Sequence, residues 1–85
     1  MVRKKKTPTR KRHRYDRNAI GPTVARLRKA SKLTRKQLAA RAHVGGWSIE
    51  SYVLTDIERG AREVTDIELR FLANALRVPV AALFD

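Results

Sequence analysis

The chain has 85 residues, 42% of them hydrophobic, which allows one small domain with a modest core. It contains no cysteine, so disulfide bonds and cysteine-ligated metal sites are excluded, and no apolar run approaches the roughly 18 residues of a membrane span. Lys and Arg number 20 against 8 Asp and Glu. The net charge of +12 favours a polyanionic partner, nucleic acid first and an anionic membrane surface second.

Residues 1–18 are predicted to form a disordered basic arm ahead of a folded domain over residues 19–85. The arm holds nine Lys or Arg residues and one acid, which places two-thirds of the excess charge in the first fifth of the chain. Its like-charge runs leave almost nothing to bury, which is typical of disorder. We expect the arm to bind phosphates without sequence preference, with a solubilising tail as the alternative. The expected contacts are Arg10, Lys11, Arg12 and Arg14.

A first helix is predicted from Asn18 to Ser31. Ile20, Val24 and Leu27 recur there at helical spacing, which favours one face packed on the core. The cations of the segment are expected to face outward, either as a solvated surface or as a rim for phosphates. They are Arg26, Arg28, Lys29 and Lys32.

A second helix is predicted from about Arg35 to Ala42. Thr34 and Gln37 fit a capping box, in which each side chain bonds a backbone N–H that the new helix leaves unpaired. Arg35 and Lys36 place cations in the first turn, against the helix dipole. DNA phosphates would explain that placement, and chance in a basic chain explains it nearly as well.

A turn is predicted to begin at Gly45 and Gly46, which break the second helix. Trp47, the only tryptophan, is expected to cover a small core rather than to bind a ligand, because aromatic side chains bury the largest area. The hydroxyl of Ser48 or of Ser51 is expected to cap the following helix.

A third helix is predicted from about Ser51 to Arg59, followed by Gly60 as a C-terminal stop. Its inward positions are Leu54 and Ile57. From residue 45 to residue 58 the sequence has no Lys or Arg and three acids, which are Glu50, Asp56 and Glu58. Acids repel DNA phosphates, although a carboxylate can accept a hydrogen bond from cytosine N4, so this surface leaves a protein contact open as an alternative.

A fourth helix is predicted from about Asp66 to Leu76, opened by a capping box of Thr65 and Glu68. Its apolar residues form two strips, and a helix apolar on two sides is either deeply packed or half of a dimer interface. The strips are Leu69, Leu72, Ala73 and Leu76, and Ile67 and Phe71. A last helical turn opens at Pro79. Five short helices without any strand pattern predict an all-α domain.

Three sequence blocks occur in order along these helices. They are Gln37-Leu38-Ala39, Ile57-Glu58-Arg59-Gly60 and Ala73-Asn74-Ala75-Leu76-Arg77-Val78. In their order and spacing, residues 19–85 resemble the Cro and lambda-repressor-like helix-turn-helix family, also called XRE-like. The resemblance implies a five-helix domain that binds double-stranded DNA, as a homodimer, with its third helix in the major groove.

The resemblance also implies site residues. By position, the base-reading sites of the family fall on Ser51, Tyr52 and Asp56, and Thr55 lies on the same outer surface. The phosphate contacts fall on Arg35, with Lys36 beside it, and on Arg59 and Arg62. Because the base-reading set is polar but acidic, we expect modest sequence specificity, with much of the affinity coming from the arm and the basic edges.

The chain departs from the family pattern around the turn. His43 stands where members usually carry Gly, five extra residues follow Val44, and Glu50 replaces the serine that usually caps the third helix. One branch of the family carries a similar Gly-Trp-x-Ile insert. Before the last helix, Arg77 stands where the family usually has Gly.

A DNA-binding transcriptional regulator, repressing by promoter occupancy, is therefore the leading interpretation. A protein-interaction module on the same fold and an RNA- or ribosome-associated protein are the alternatives. We expect no enzyme, cofactor, metal or small-molecule ligand, because the two histidines are not paired at ligand spacing and no nucleophile or phosphate-loop motif occurs. Without the apolar centre of a secretory signal, a cytoplasmic protein is expected, associated with the nucleoid if bacterial.

Overall fold

A computed structural model describes residues 17–85, and this part of the chain is all-α, as predicted. Four α-helices and a C-terminal 3₁₀ helix follow one another: α1 is Gly21–Ala30, α2 is Arg35–Val44, α3 is Ser51–Glu58, α4 is Asp66–Leu76 and the 3₁₀ helix is Val80–Phe84. Nearly all of the predicted arm lies outside the described residues, including Arg10, Lys11, Arg12 and Arg14. None of the helices in residues 17–85 has the length and apolar character needed to cross a membrane.

The first helix begins three residues later than predicted, because Asn18 lies outside the helix. Its side chain instead bonds backbone groups at the start of α1 and near the end of α3. Its Oδ1 accepts hydrogen bonds from the backbone N–H groups of Ile20, at 3.0 Å, and Gly21, at 2.8 Å. Its Nδ2 donates to the carbonyl oxygens of Ile57, at 3.1 Å, and Arg62, at 2.9 Å. One side chain therefore starts α1 and fixes it to the end of α3. A Cβ atom at Gly21 would collide with the Ile57 carbonyl, so this close approach requires glycine.

Both predicted capping boxes are confirmed. Thr34 Oγ1 accepts from the N–H of Gln37 at 3.0 Å, and Gln37 Oε1 accepts from the N–H of Thr34 at 2.8 Å. Thr65 and Glu68 make the same reciprocal pair at the start of α4. These bonds satisfy backbone donors that the first turn of each helix leaves unpaired.

The prediction that Ser48 or Ser51 caps the start of α3 is wrong. Glu50 occupies the N-cap position and makes no side-chain cap hydrogen bond. Ser48 instead approaches the α2 side chain of His43, with 2.6 Å between Oγ and Nδ1. At the other end α3 stops after Glu58, and Gly60 takes up a φ of +74°, so the predicted glycine stop is confirmed.

The core lies where the four α-helices and the 3₁₀ helix meet. Most of the positions predicted to face inward from the first, third and fourth helices are buried there, whereas Leu27 and Leu69 are only partly buried and pack at its margin with Val53. The buried apolar residues are Ile20, Val24, Leu38, Ala39, Ala42, Leu54, Ile57, Leu72, Ala73, Ala75, Leu76 and Leu83. Such a core positions α2 and α3 as a packed pair.

Trp47 packs the turn that precedes α3 against α4. This position agrees with the prediction that Trp47 covers the core. Its ring stacks on Phe71 with centroids 5.8 Å apart and planes inclined by 22°. The Trp47 backbone N–H also donates to the carbonyl of Ala42 at 2.8 Å, which folds the turn back onto α2. Gly46 makes this path available with a φ of +110°, a conformation that side chains disfavour.

Candidate nucleic-acid interface

Arg28 was predicted to face outward, and that prediction is wrong. The residue is 7% exposed because its guanidinium binds Glu58 of α3: Nε lies 2.6 Å from Oε2, and Nη2 lies 3.1 Å from Oε1. Nη1 donates to the carbonyl of Leu33 at 2.8 Å. Hydrogen bonding to Glu58 raises the pKa of Arg28 above its ordinary value, and burial opposes that rise.

A second arginine shares the same carboxylate. Arg35 Nε donates to Glu58 Oε1 at 3.0 Å, while the Glu58 side chain is 3% exposed and the Arg35 side chain is 43% exposed. We call Arg28, Glu58 and Arg35 the arginine–glutamate cluster. Two guanidinium charges against one carboxylate leave a net charge of +1, and the more exposed guanidinium stands at the start of α2. One of the three acids counted in the turn and third helix is therefore neutralised inside the domain.

The residues predicted to read bases differ in how far they project from α3. Tyr52 is 66% exposed. Ser51, Thr55 and Asp56 are half-buried, and the Thr55 hydroxyl faces the Ser51 carbonyl oxygen at 3.5 Å. Tyr52 is therefore the most exposed residue of α3.

The domain residues predicted to contact phosphates lie at the start of α2 and just after the end of α3. Lys36 and Arg59 are exposed, and Arg35 is oriented by Glu58. Arg62 is half-buried and forms an ion pair with Glu68, with both of its hydrogen bonds at 3.4 Å. Its charge is therefore already matched within the domain.

A furrow between α2 and the turn before α3 was not predicted from the sequence. We call it the α2–turn furrow; its polar lining consists of Lys36, His43, Ser48, Glu50 and Ser51, over a floor that includes Ala39 and Ala40. His43 is exposed near the end of α2. The sequence indicates only that Lys36 and His43, seven residues apart, lie on the same face of α2. No feature of the neighbouring sequence predicts that the turn brings Ser48 into contact with His43.

Two of the exposed apolar side chains border a cleft beside α4. Ile67 of α4 is 59% exposed and Val80 is 37% exposed, and both line a cleft with Phe71. Of the predicted second strip of α4, Phe71 is covered by Trp47 and Ile67 is not. Residues 17–85 contain no group of three His, Asp or Glu side chains arranged to hold a metal ion.

Comparison of the chain with protein-family models, with curated proteins and with solved structures finds no match.

Proposed function

We propose that the chain is a transcriptional regulator whose domain has the lambda-repressor-like five-helix fold and binds double-stranded DNA. In this arrangement α2 crosses the phosphate backbone, α3 enters the major groove, and occupation of a promoter represses transcription. The observation that carries the proposal is the arginine–glutamate cluster, because it orients Arg35 at the start of α2 and removes the Glu58 charge from the surface of α3.

Phosphate binding is the part of the proposal with the strongest chemical support. Arg35 keeps further guanidinium N–H groups beyond the Nε that Glu58 holds, and Lys36 is exposed in the same helical turn. Arg59 directly follows α3. The arm adds contacts without sequence preference, which are Arg10, Lys11, Arg12 and Arg14. If six to ten phosphates are neutralised, affinity falls by about three to five decades between 50 and 200 mM salt.

Base reading rests on the outer surface of α3. Tyr52 is the most exposed member of the proposed base-contact set, and a tyrosine offers both a ring and a hydroxyl to base edges. Ser51, Thr55 and Asp56 are set deeper and would act once the helix lies in the groove. Asp56 would favour cytosine, whose N4 amino group is the natural donor to a carboxylate.

The test is a binding selection on randomised duplex DNA with the full chain at about 150 mM salt, where phosphate-only attraction is partly screened. A recovered sequence motif is the expected result. Tyr52→Ala should then change the selected motif, while Phe84→Ala, which removes an exposed aromatic ring from the C-terminal 3₁₀ helix, should leave it unchanged. Selection without a motif, or the same motif from both variants, would contradict base reading by α3.

A homodimer belongs to the same proposal, and the exposed Ile67 and Val80 supply the apolar surface it needs. The same surface favours a second candidate, a protein-interaction module in which DNA binding is weak. Salt-resistant self-association together with a failed DNA selection would support that candidate. A palindromic motif with half-sites one helical turn apart would instead support the dimeric regulator.

A further inference from the structure

The α2–turn furrow joins residues from two places at which the chain departs from the family it resembles. His43 occupies a position where members usually carry Gly, and Ser48 lies within the five extra residues of the turn. The fold brings the two side chains into hydrogen-bond contact, with 2.6 Å between His43 Nδ1 and Ser48 Oγ. The furrow also adjoins Ser51, the first residue of α3, and therefore the end of the helix that we place in the major groove.

The contact with Ser48 fixes which nitrogen of His43 meets a ligand. Nδ1 is engaged by the serine hydroxyl, so Nε2 is the nitrogen left for a partner. When the Ser48 hydroxyl donates to Nδ1, Nε2 carries the proton and is a hydrogen-bond donor, and an imidazolium donates from both nitrogens. In either state Nε2 can donate a hydrogen bond to an anion at the mouth of the furrow.

Lys36 supplies the charge of the furrow. It lies seven residues before His43 on α2, which corresponds to about 10 Å along the helix. Both side chains line the furrow, so the long lysine side chain can reach the phosphate that His43 contacts. Glu50 opposes an anion, but it is exposed and its side chain is not committed to capping α3.

We propose that the α2–turn furrow binds a phosphodiester of duplex DNA beside the strand that α3 approaches. His43 Nε2 and the Lys36 ammonium donate to its oxygens, and Ser48 is the positioning residue that holds the imidazole ring through Nδ1. This inference rests on the proposed DNA-binding function and deepens it, because it gives the extra residues of the turn a role.

The experiment measures the affinity of the full chain for a duplex with a single phosphate replaced by an uncharged methylphosphonate, moved along each strand in turn. At one position the replacement should weaken the wild-type protein about three- to tenfold and should not weaken His43→Ala further. On the unmodified duplex, His43→Ala should bind about three- to tenfold more weakly than the wild type.

Further variants separate positioning from charge. Ser48→Ala should weaken binding without changing net charge, Ser48→Thr should restore it, and the His43→Ala/Ser48→Ala double variant should bind like His43→Ala alone. Glu50→Gln should tighten binding, since it removes the opposing carboxylate. Arg70→Ala, which removes an exposed cation of α4, is the control and should lose no affinity at the selected phosphate position.

The outcomes are distinct. Wild-type binding that His43→Ala and Ser48→Ala both leave unchanged would overturn the furrow as a phosphate site and leave the proposed function standing. Wild-type protein that is folded and binds no duplex would overturn both. Additive losses in the double variant would overturn the positioning role of Ser48.

Discussion

At the scale of single residues, Arg77 shows how one position sets the path of the chain. It follows α4 with φ 61° and ψ 45°, in the left-handed region. The N–H of Val78 bonds the carbonyl of Ala73 at 3.0 Å, which closes the helix end and directs the chain toward the 3₁₀ helix. An arginine in this conformation is strained, because its Cβ approaches the backbone carbonyl that glycine would avoid.

Arg77→Gly is expected to raise the free energy of unfolding by about 1 kcal/mol, because glycine adopts the left-handed conformation without that steric cost. Urea unfolding followed by circular dichroism measures the change. Arg70→Gly is the matched control: it removes the same side chain from the interior of α4 and should lower stability by about 1 kcal/mol. Destabilisation in both variants would contradict the strain at Arg77.

At the scale of helices, the arginine–glutamate cluster joins elements that are distant in sequence. Arg28 belongs to α1, Arg35 to α2 and Glu58 to α3. Asn18 adds a second connection between the chain entering α1 and the end of α3. The mutual placement of α2 and α3, on which the proposed interface depends, is therefore fixed by polar contacts as well as by the core.

Glu58→Ala is expected to lower the free energy of unfolding by about 3–5 kcal/mol, because it leaves the buried Arg28 guanidinium without its anion. That loss is a large share of the 5–15 kcal/mol typical of a folded domain. Thermal and urea unfolding should both report it. Glu63→Ala, which removes an exposed carboxylate, should change stability by less than about 0.5 kcal/mol. Equal unfolding curves for the two variants would refute a structural role for the cluster.

At the scale of the whole molecule, positive charge is divided unevenly between the first sixteen residues and the described part of the chain. Residues 1–16 carry eight Lys or Arg and one acid, and residues 17–85 carry twelve and seven. Under the proposed function, we expect most of the non-specific attraction to DNA to come from the first sixteen residues. Affinity and specificity should respond to different parts of the chain.

Deleting residues 1–16 should weaken binding to all duplexes alike and flatten the dependence of log Kd on log salt by roughly 0.9 per lost phosphate contact. Arg17 is kept, because its N–H donates to the Gly60 carbonyl at 2.9 Å. Anisotropy titrations from about 50 to about 200 mM salt measure the slope. Replacing residues 1–16 by a neutral segment of equal length controls for chain length. An unchanged slope would exclude the arm from phosphate binding.

Features encoded by neighbouring residues were predictable. The capping boxes at Thr34 and Thr65 depend on hydrogen bonds within a few residues, and the stop at Gly60 depends on the backbone freedom of one glycine. The identity and spacing of neighbouring residues therefore predict these features. The inward positions Leu54 and Ile57 follow from helical periodicity alone. The same period places Tyr52 on the outer face of α3. Its proposed contact with bases stays a prediction that the binding selection on randomised duplex DNA tests.

The sequence by itself determined the all-α class, the helix starts that carry a capping box and most of the core, because each rests on local bonds or on a period of 3.6 residues. Only the tertiary structure decided that Arg28 is buried, that Arg35 shares its carboxylate and that Ser48 contacts His43. The two arginines lie 30 and 23 residues from Glu58, and no periodicity specifies such a pairing. A basic side chain looks the same in sequence whether it faces solvent or a carboxylate, and the packing of α1 and α2 against α3 supplies that carboxylate.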